Sequence, residues 1–181
     1  FLPDIVARKE HPISHHGHVG RGGTLPRPGL KVHALDLESG ATVEGKCWKA
    51  KAVQVPHVDP YLTSLAYRID SDNGSVLFLC DSADCPELRQ LAKGVNTFVT
   101  GLSVRNFKET PEDASHPIRG VSADISEVVD IATEAGVSRI VVIHCGSPNS
   151  EEIVDRLHRG YGEKGFGGSV VRPDELTTVD L

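Results

Sequence analysis

Residues 64–81 read SLAYRIDSDNGSVLFLCD: two strand-like runs, SLAYRID and SVLFLC, on either side of the turn-forming SDNG. That pattern predicts a β-hairpin. Upstream, CWKAKAVQV (47–55) is extended and β-rich. LKVHALDL (30–37) is a further short strand candidate, closed by the turn-like SGAT, and residues 1–29 are a loop-rich segment dense in His, Gly and Pro.

Downstream of the hairpin the pattern changes. PELRQLAKG (86–94) reads as a short helix with Pro86 near its start and Gly94 at its end. NTFVT (96–100) is a buried-type strand, and LSVRNFKETPEDASHPIRG (102–120) is polar and aperiodic, which predicts a long loop. Helical spacing of Ile125, Val128, Val129 and Ala132 predicts a helix over 123–135, capped by Ser122 and ended by Gly136. SRIVVIH (138–144) is an apolar strand that stops at His144. A helix at 150–160 and two short strands at 168–172 and 176–180 complete the expectation. Strands cluster first, and helices then alternate with single strands. The expected fold is a layered α/β (α+β) domain with a mixed sheet.

The 181 residues suit a single domain. No apolar run reaches the roughly 20 residues of a membrane span, and FLPDIVARKE lacks a secretory h-region. The net charge of −6 weighs against a nucleic-acid partner bound by phosphate neutralisation, so a small-molecule substrate is expected instead. Cys47, Cys80, Cys85 and Cys145 follow no disulfide or CxxC spacing, as for reduced thiols in a cytoplasmic protein. The chain contains no methionine and begins at Phe1, so the expectation is that the native polypeptide starts earlier.

Three polar residues each stand just past an apolar strand: His57 after AVQVP, Asp81 after SVLFLC and His144 after RIVVI. Ligand sites of open α/β sheets form outside strand ends. Two imidazoles and a carboxylate there suit a divalent metal such as Zn2+, whereas any one of them alone is an ordinary hydrogen-bonded turn residue. Cys80 and Cys145 each neighbour one of these residues, and buried, unreactive thiols are expected there. Trp48 and Tyr61 are candidates for the cleft wall or for plain packing.

Residues 55–99, from VPHVDPYLTSLAYR to NTFV, and residues 127–146, EVVDIATEAGVSRIVVIHCG, resemble the later half of a metallo-β-lactamase-fold hydrolase. The similarity is to the branch containing RNase Z-like and arylsulfatase-like proteins. His57 precedes SLAYR as that branch's histidine precedes its SxAYR strand. CDS puts Asp81 in the GDT position, and IH puts His144 in the place of the strand-end TH or SH. The resemblance implies an αββα sandwich, of which this chain would be the C-terminal portion, with two divalent metal ions between the sheets. It also implies hydrolysis of an ester-type bond by metal-activated water or hydroxide. His57 and His144 would each bind one ion, and Asp81 would bridge both and serve catalysis. Homo-oligomerisation is compatible with this reading.

The departures are as informative. SHHGHVGRGG (14–23) overlays on the family's HxHxDHxGG, but Gly20 and Arg21 replace its Asp and His, and it lies too close to His57 in sequence. His15, His16 and His18 are therefore read as loop residues near the site's mouth. The true HxHxDH is expected upstream of Phe1, which would leave this segment inactive alone. FVTGL replaces a His-Glu pair, and GVSAD replaces a His-Ser/Thr helix start used for phosphate handling, which weighs against tRNA processing. His116, in SHPIRG, is a nearby stand-in or a loop histidine. A non-catalytic binding module built on the same fold, and an unrelated α/β binding domain, are the alternatives.

Overall fold

The hairpin predicted from SLAYRIDSDNGSVLFLC forms. In the computed structural model, which describes residues 38–58, 60–103, 120–145, 150–160, 165–174 and 177–180, Ser71 pairs with Gly74 across Asp72 and Asn73. The Ser71 hydroxyl accepts from Asn73 N–H and donates to the Gly74 carbonyl, and Gly74 takes φ 142°.

Among the described residues, seven strands form one sheet in sequence order. β1 (Thr42–Glu44), β2 (Trp48–Val55), β3 (Ser64–Ser71) and β4 (Gly74–Leu79) pair antiparallel. β5 (Thr97–Leu102), β6 (Arg139–Cys145) and β7 (Ser169–Val171) continue the sheet in parallel from β4. Parallel neighbours need a crossover. These are α1 (Pro86–Ala92), α2 (Ile125–Ala135) and α3 (Ser150–Arg159), one between each successive parallel pair. All three crossovers advance in the same direction, so the right-handed rule puts the three helices on one face. One core cluster reports this. Leu77, Leu79, Phe98, Ile140 and Val142 of the sheet pack with Leu88 of α1, Val128 and Ile131 of α2, and Ile153 and Leu157 of α3. The opposite face carries a smaller cluster of Val76, Val99 and Val141, partly covered by Val179. Strands with apolar side chains on both faces read as continuous hydrophobic runs, as VLFL and RIVV do.

Several sequence expectations shift. α2 is capped by Asp124 rather than Ser122. The Asp124 carboxylate accepts from Glu127 N–H at 2.9 Å, and the Glu127 carboxylate accepts from Asp124 N–H at 3.1 Å. A carboxylate that can close a reciprocal box satisfies two orphan donors, where a hydroxyl two residues earlier reaches neither. SGAT is only partly a turn, because Thr42 enters β1, which pairs with β2 at the sheet edge. Residues 177–180 are not a strand. Pro173 follows β7 closely, and Thr177 N–H bonds back to the Asp174 carbonyl in a turn. The strand candidate at 30–37, the histidines at 15, 16 and 18, and most of the 102–120 loop with His116 lie outside the described residues.

Arg68 of β3 closes the C-terminal end of α1. Its guanidinium donates to the carbonyls of Leu91 (3.1 Å) and Lys93 (2.7 Å) while Asp70 holds Nε at 2.9 Å. It thereby meets helix-end carbonyls that have no intrahelical partner. No helix among the described residues is long and apolar enough to cross a membrane.

The Asp124 cap supplies the first testable outcome. Asp124→Ala should lower the free energy of urea unfolding by about 0.5–2 kcal/mol at unchanged m-value, and Asp124→Asn should keep most of that stability.

Candidate functional site

Three connections meet at one end of the sheet, and backbone groups lock them together. The Pro56 carbonyl, after β2, accepts from Ala83 N–H at 3.1 Å in the loop after β4. In that same loop the Ser82 carbonyl accepts from Ala123 N–H at 2.6 Å, just before α2. The carbonyl of Val121, in that same pre-helix segment, accepts from Nδ1 of His57 at 2.7 Å. The chain of contacts thus closes on itself, with Ser103 N–H, past β5, adding a bond to the Ala123 carbonyl at 2.7 Å.

The ring of contacts fixes chemistry as well as position. A carbonyl can only accept, so Nδ1 of His57 is the donor, and in the neutral imidazole this leaves the lone pair on Nε2. Orientation of a ligand histidine by a backbone carbonyl is the usual outer support of a metal-binding imidazole. Val58, the next residue, has φ 54°, a left-handed conformation that is costly for a β-branched side chain.

Asp81 is the shared member of the site. It lines a cavity of about 210 Å³ together with Val55, His57, Ser64, Leu65 and Cys80. On its other side, Asp81 Oδ2 lies 3.4 Å from Nε2 of His144. The structure therefore brings His57 and Asp81 onto one cavity and Asp81 and His144 into contact. It does not gather all three: no group of three His, Cys, Asp or Glu side chains among the described residues is placed to hold a metal ion. The donor types fit a divalent cation, two imidazoles and a carboxylate, but as two pairs that share Asp81.

Arg89 steadies the loop that carries Asp81. Its guanidinium grips the Asp84 carboxylate through Nε (2.9 Å) and Nη2 (2.6 Å) and also meets Glu134 of α2. These hydrogen bonds, chiefly the one to Asp84, raise the Arg89 pKa further above its already high value.

The residue least visible in the sequence is Gly101. A Cβ there would lie 3.1 Å from the Cys80 carbonyl oxygen, 3.2 Å from that of His144 and 3.3 Å from Asp81 Oδ1. Gly101 also marks a register break, since Thr100 pairs with Val142 but Gly101 pairs with His144. The extra residue, Ile143, reverses the facing of the side chains beyond it. Val142 and Cys145 both contact the helix-side core, although residues three apart on a regular strand point to opposite faces. The bulge therefore turns His144 away from the core and toward Asp81. FVTGL and RIVVIH contain this information only as a glycine and one residue too many.

Of the two cysteines expected to be buried, Cys80 is exposed and Cys145 is half-buried against the core. Cys47 and Cys80 are exposed, Cys85 and Cys145 are half-buried, and none is in a disulfide. Burial pushes the Cys85 thiol pKa up.

These features match known proteins. No protein-family model matches the chain. It is 27% identical over 177 residues to ribonuclease Z of Mycobacterium tuberculosis, covering 93% of this chain and 59% of that protein. It is 24% identical over 164 residues to ribonuclease Z of Mycobacterium marinum, covering 83% and 57%. The chain thus spans little more than half the length of these relatives. Among solved structures, a metallo-β-lactamase-fold protein from Bacillus subtilis superposes with TM-score 0.57 at 13% identity, over 74% of this chain and 50% of that one. A metallo hydrolase from Ignicoccus hospitalis gives TM-score 0.55 at 12% identity, over 81% and 61%.

One expectation is overturned by these relatives. Net charge weighs against a nucleic-acid partner, and the lost His-Glu and His-Ser/Thr features against tRNA processing, yet the sequence relatives are ribonucleases. The physical reason is locality. A charge of −6 sums the whole chain, whereas a site that handles one phosphodiester needs cationic character only at that bond, where a metal can supply it.

The geometry leads to two testable outcomes. Gly101→Ala should destabilise the protein by about 1–3 kcal/mol through overpacking and shift the His144 ring resonances. Gly167→Ala, with no atom within 4 Å of the added methyl, should do neither. In a thiol-labelling time course Cys47 and Cys80 should react ahead of Cys85, whose labelling should need more alkaline pH. The fold, the strand-end motifs and the sequence relatives agree: the chain has the metallo-β-lactamase fold and is similar in sequence to ribonuclease Z proteins.

Proposed function

We propose that the protein is a metal-dependent hydrolase that cleaves phosphodiester bonds in RNA, with His57, Asp81 and His144 as its ligands to divalent metal. The observation that carries this reading is Asp81, which shares a cavity with His57 and touches His144. The ribonuclease Z relatives support the substrate class. The expected occupancy is two ions, with zinc favoured by the histidine donors. The four free cysteines suit a reducing, cytoplasmic setting.

When bound, the metal supplies Lewis acidity that activates water and offsets the negative charge developing on the phosphate. The protein's own groups do the rest. His57 offers Nε2 because the Val121 carbonyl holds its Nδ1 proton. Asp81 adds negative charge between the two histidines and, with His57, lines the cavity in which the diester would sit. His144, with its side chain 68% exposed, stands on the open side where substrate can arrive. The apolar walls Val55 and Leu65 limit water at the cavity and strengthen the electrostatics within it.

The test uses the full-length protein and the variants His57→Ala, Asp81→Asn and His144→Ala. Each should lower bound metal, measured by mass spectrometry, and reduce RNA hydrolysis by more than about 100-fold, beyond the loss typical of outer-shell changes. Chelation of the wild type should do the same. Unchanged metal content and activity in all three variants would overturn the assignment.

A further inference from the structure

We propose that Tyr61 is a specificity residue that stacks on an unpaired base of the RNA strand next to the bond being cleaved. This rests on the RNA-hydrolase reading above.

The cavity itself requires contacts outside it. At about 210 Å³ it is smaller than the roughly 300–1,000 Å³ of pockets that enclose a small ligand. It can take a phosphate and part of a sugar, so the flanking nucleotides must lie over its rim. Val58, Tyr61 and Leu62 stand in sequence between His57 and Ser64, which both line the cavity.

This segment has an unusual surface. Tyr61 is 88% exposed, Leu62 51% and Val58 44%. Three neighbouring apolar side chains in water are disfavoured unless a ligand covers them. The turn that displays them is nonetheless fixed. Tyr61 N–H bonds to the Val58 carbonyl at 3.0 Å, and Val58 is held at φ 54°. Strain of this kind persists only where surrounding structure imposes it, and it concentrates at functional sites. Here the imposing contacts stand on both sides of the turn: His57 is tied to Val121 and Pro56 to Ala83 before it, and Ser64 pairs with Val55 after it. An exposed aromatic side chain on a hydrogen-bonded turn, close in sequence to the residues of a phosphate-sized cavity, is what a base-stacking contact needs, since every base offers a π-face.

The experiment compares wild type, Tyr61→Ala, Tyr61→Phe and Tyr61→Trp in full-length protein. A fluorescein-labelled single-stranded oligoribonucleotide serves as probe, with binding read by anisotropy on a hydrolysis-resistant phosphorothioate copy and cleavage kinetics read on the unmodified one, both in metal-loaded protein. Stacking is worth roughly 1–3 kcal/mol per base, about 5- to 150-fold in affinity. Tyr61→Ala should therefore raise both Kd and KM by at least about 5-fold and change kcat much less, while Phe and Trp retain wild-type values. An abasic nucleotide beside the cleaved bond should weaken wild-type binding similarly and add nothing in Tyr61→Ala. Unchanged Kd in Tyr61→Ala, or equal losses in the Ala and Phe variants, would overturn the stacking role. Wild type that binds RNA through Tyr61 without cleaving it would instead overturn the hydrolase reading alone, and failure of wild type to bind RNA at all would overturn both.

Discussion

The site depends on one closed set of backbone hydrogen bonds: Pro56 to Ala83, Ser82 to Ala123, and Val121 to the His57 ring. Connections after three different elements would otherwise be free to move independently, because loops at strand ends have few packing contacts of their own. Each bond here joins two of them, so displacement of any one strains the others. The arrangement anchors Ser82 beside Asp81 and selects the Nδ1–H tautomer of His57 with a backbone acceptor. Backbone acceptors suit that role, since they neither titrate nor change rotamer.

The sheet explains why these connections meet at all. β4, β5 and β6 run parallel, so their C-terminal ends lie at one edge, and Asp81, Gly101 and His144 sit at those ends. The right-handed crossovers return the chain on a single face. They leave Val76, Val99 and Val141 on the other, with Phe78, Ile143 and Tyr67 partly exposed. A sheet apolar on both faces is one layer of a sandwich, in agreement with the αββα expectation. His144 must open onto that second face to meet Asp81, and the bulge at Ile143 accomplishes it. Gly101 is the necessary counterpart, because any side chain there would occupy the space in which the two backbones and the carboxylate approach.

Much of this is legible in the sequence, for definable reasons. SDNG between two β-rich runs predicts the hairpin, and the helical spacing of Ile125, Val128, Val129 and Ala132 predicts α2. Both are local signals in which side-chain chemistry and backbone agree. The positions of His57, Asp81 and His144 at strand ends are equally visible. The expectation that Asp81 stands between His57 and His144 is matched in arrangement by two pairs that share Asp81, although no three of these groups stand together among the described residues. The features that stay hidden are carried by the backbone. The Val121, Ser82 and Pro56 carbonyls are available in any sequence, and their use depends on three-dimensional proximity alone. The cap moves from Ser122 to Asp124 because reciprocity with Glu127 outweighs the simple presence of a hydroxyl. The bulge needs the register of β5 against β6, which neither strand encodes by itself.

The reversal over nucleic acid is a lesson about scale. Net charge governs long-range steering and non-specific binding, in which many phosphates are neutralised at once. A hydrolase that acts at one linkage faces a different requirement: it must concentrate positive charge at one point and tolerate anionic surroundings. Two imidazoles flanking a carboxylate would meet that requirement only with a cation between them, so under the proposed reading the negative charge of Asp81, which would repel a bare phosphate, would instead hold the metal. On the proposed reading, an acidic protein with such a centre would engage RNA through a single phosphodiester and a neutral aromatic contact. In that regime counterion release is a minor part of the binding free energy, because few phosphates are neutralised.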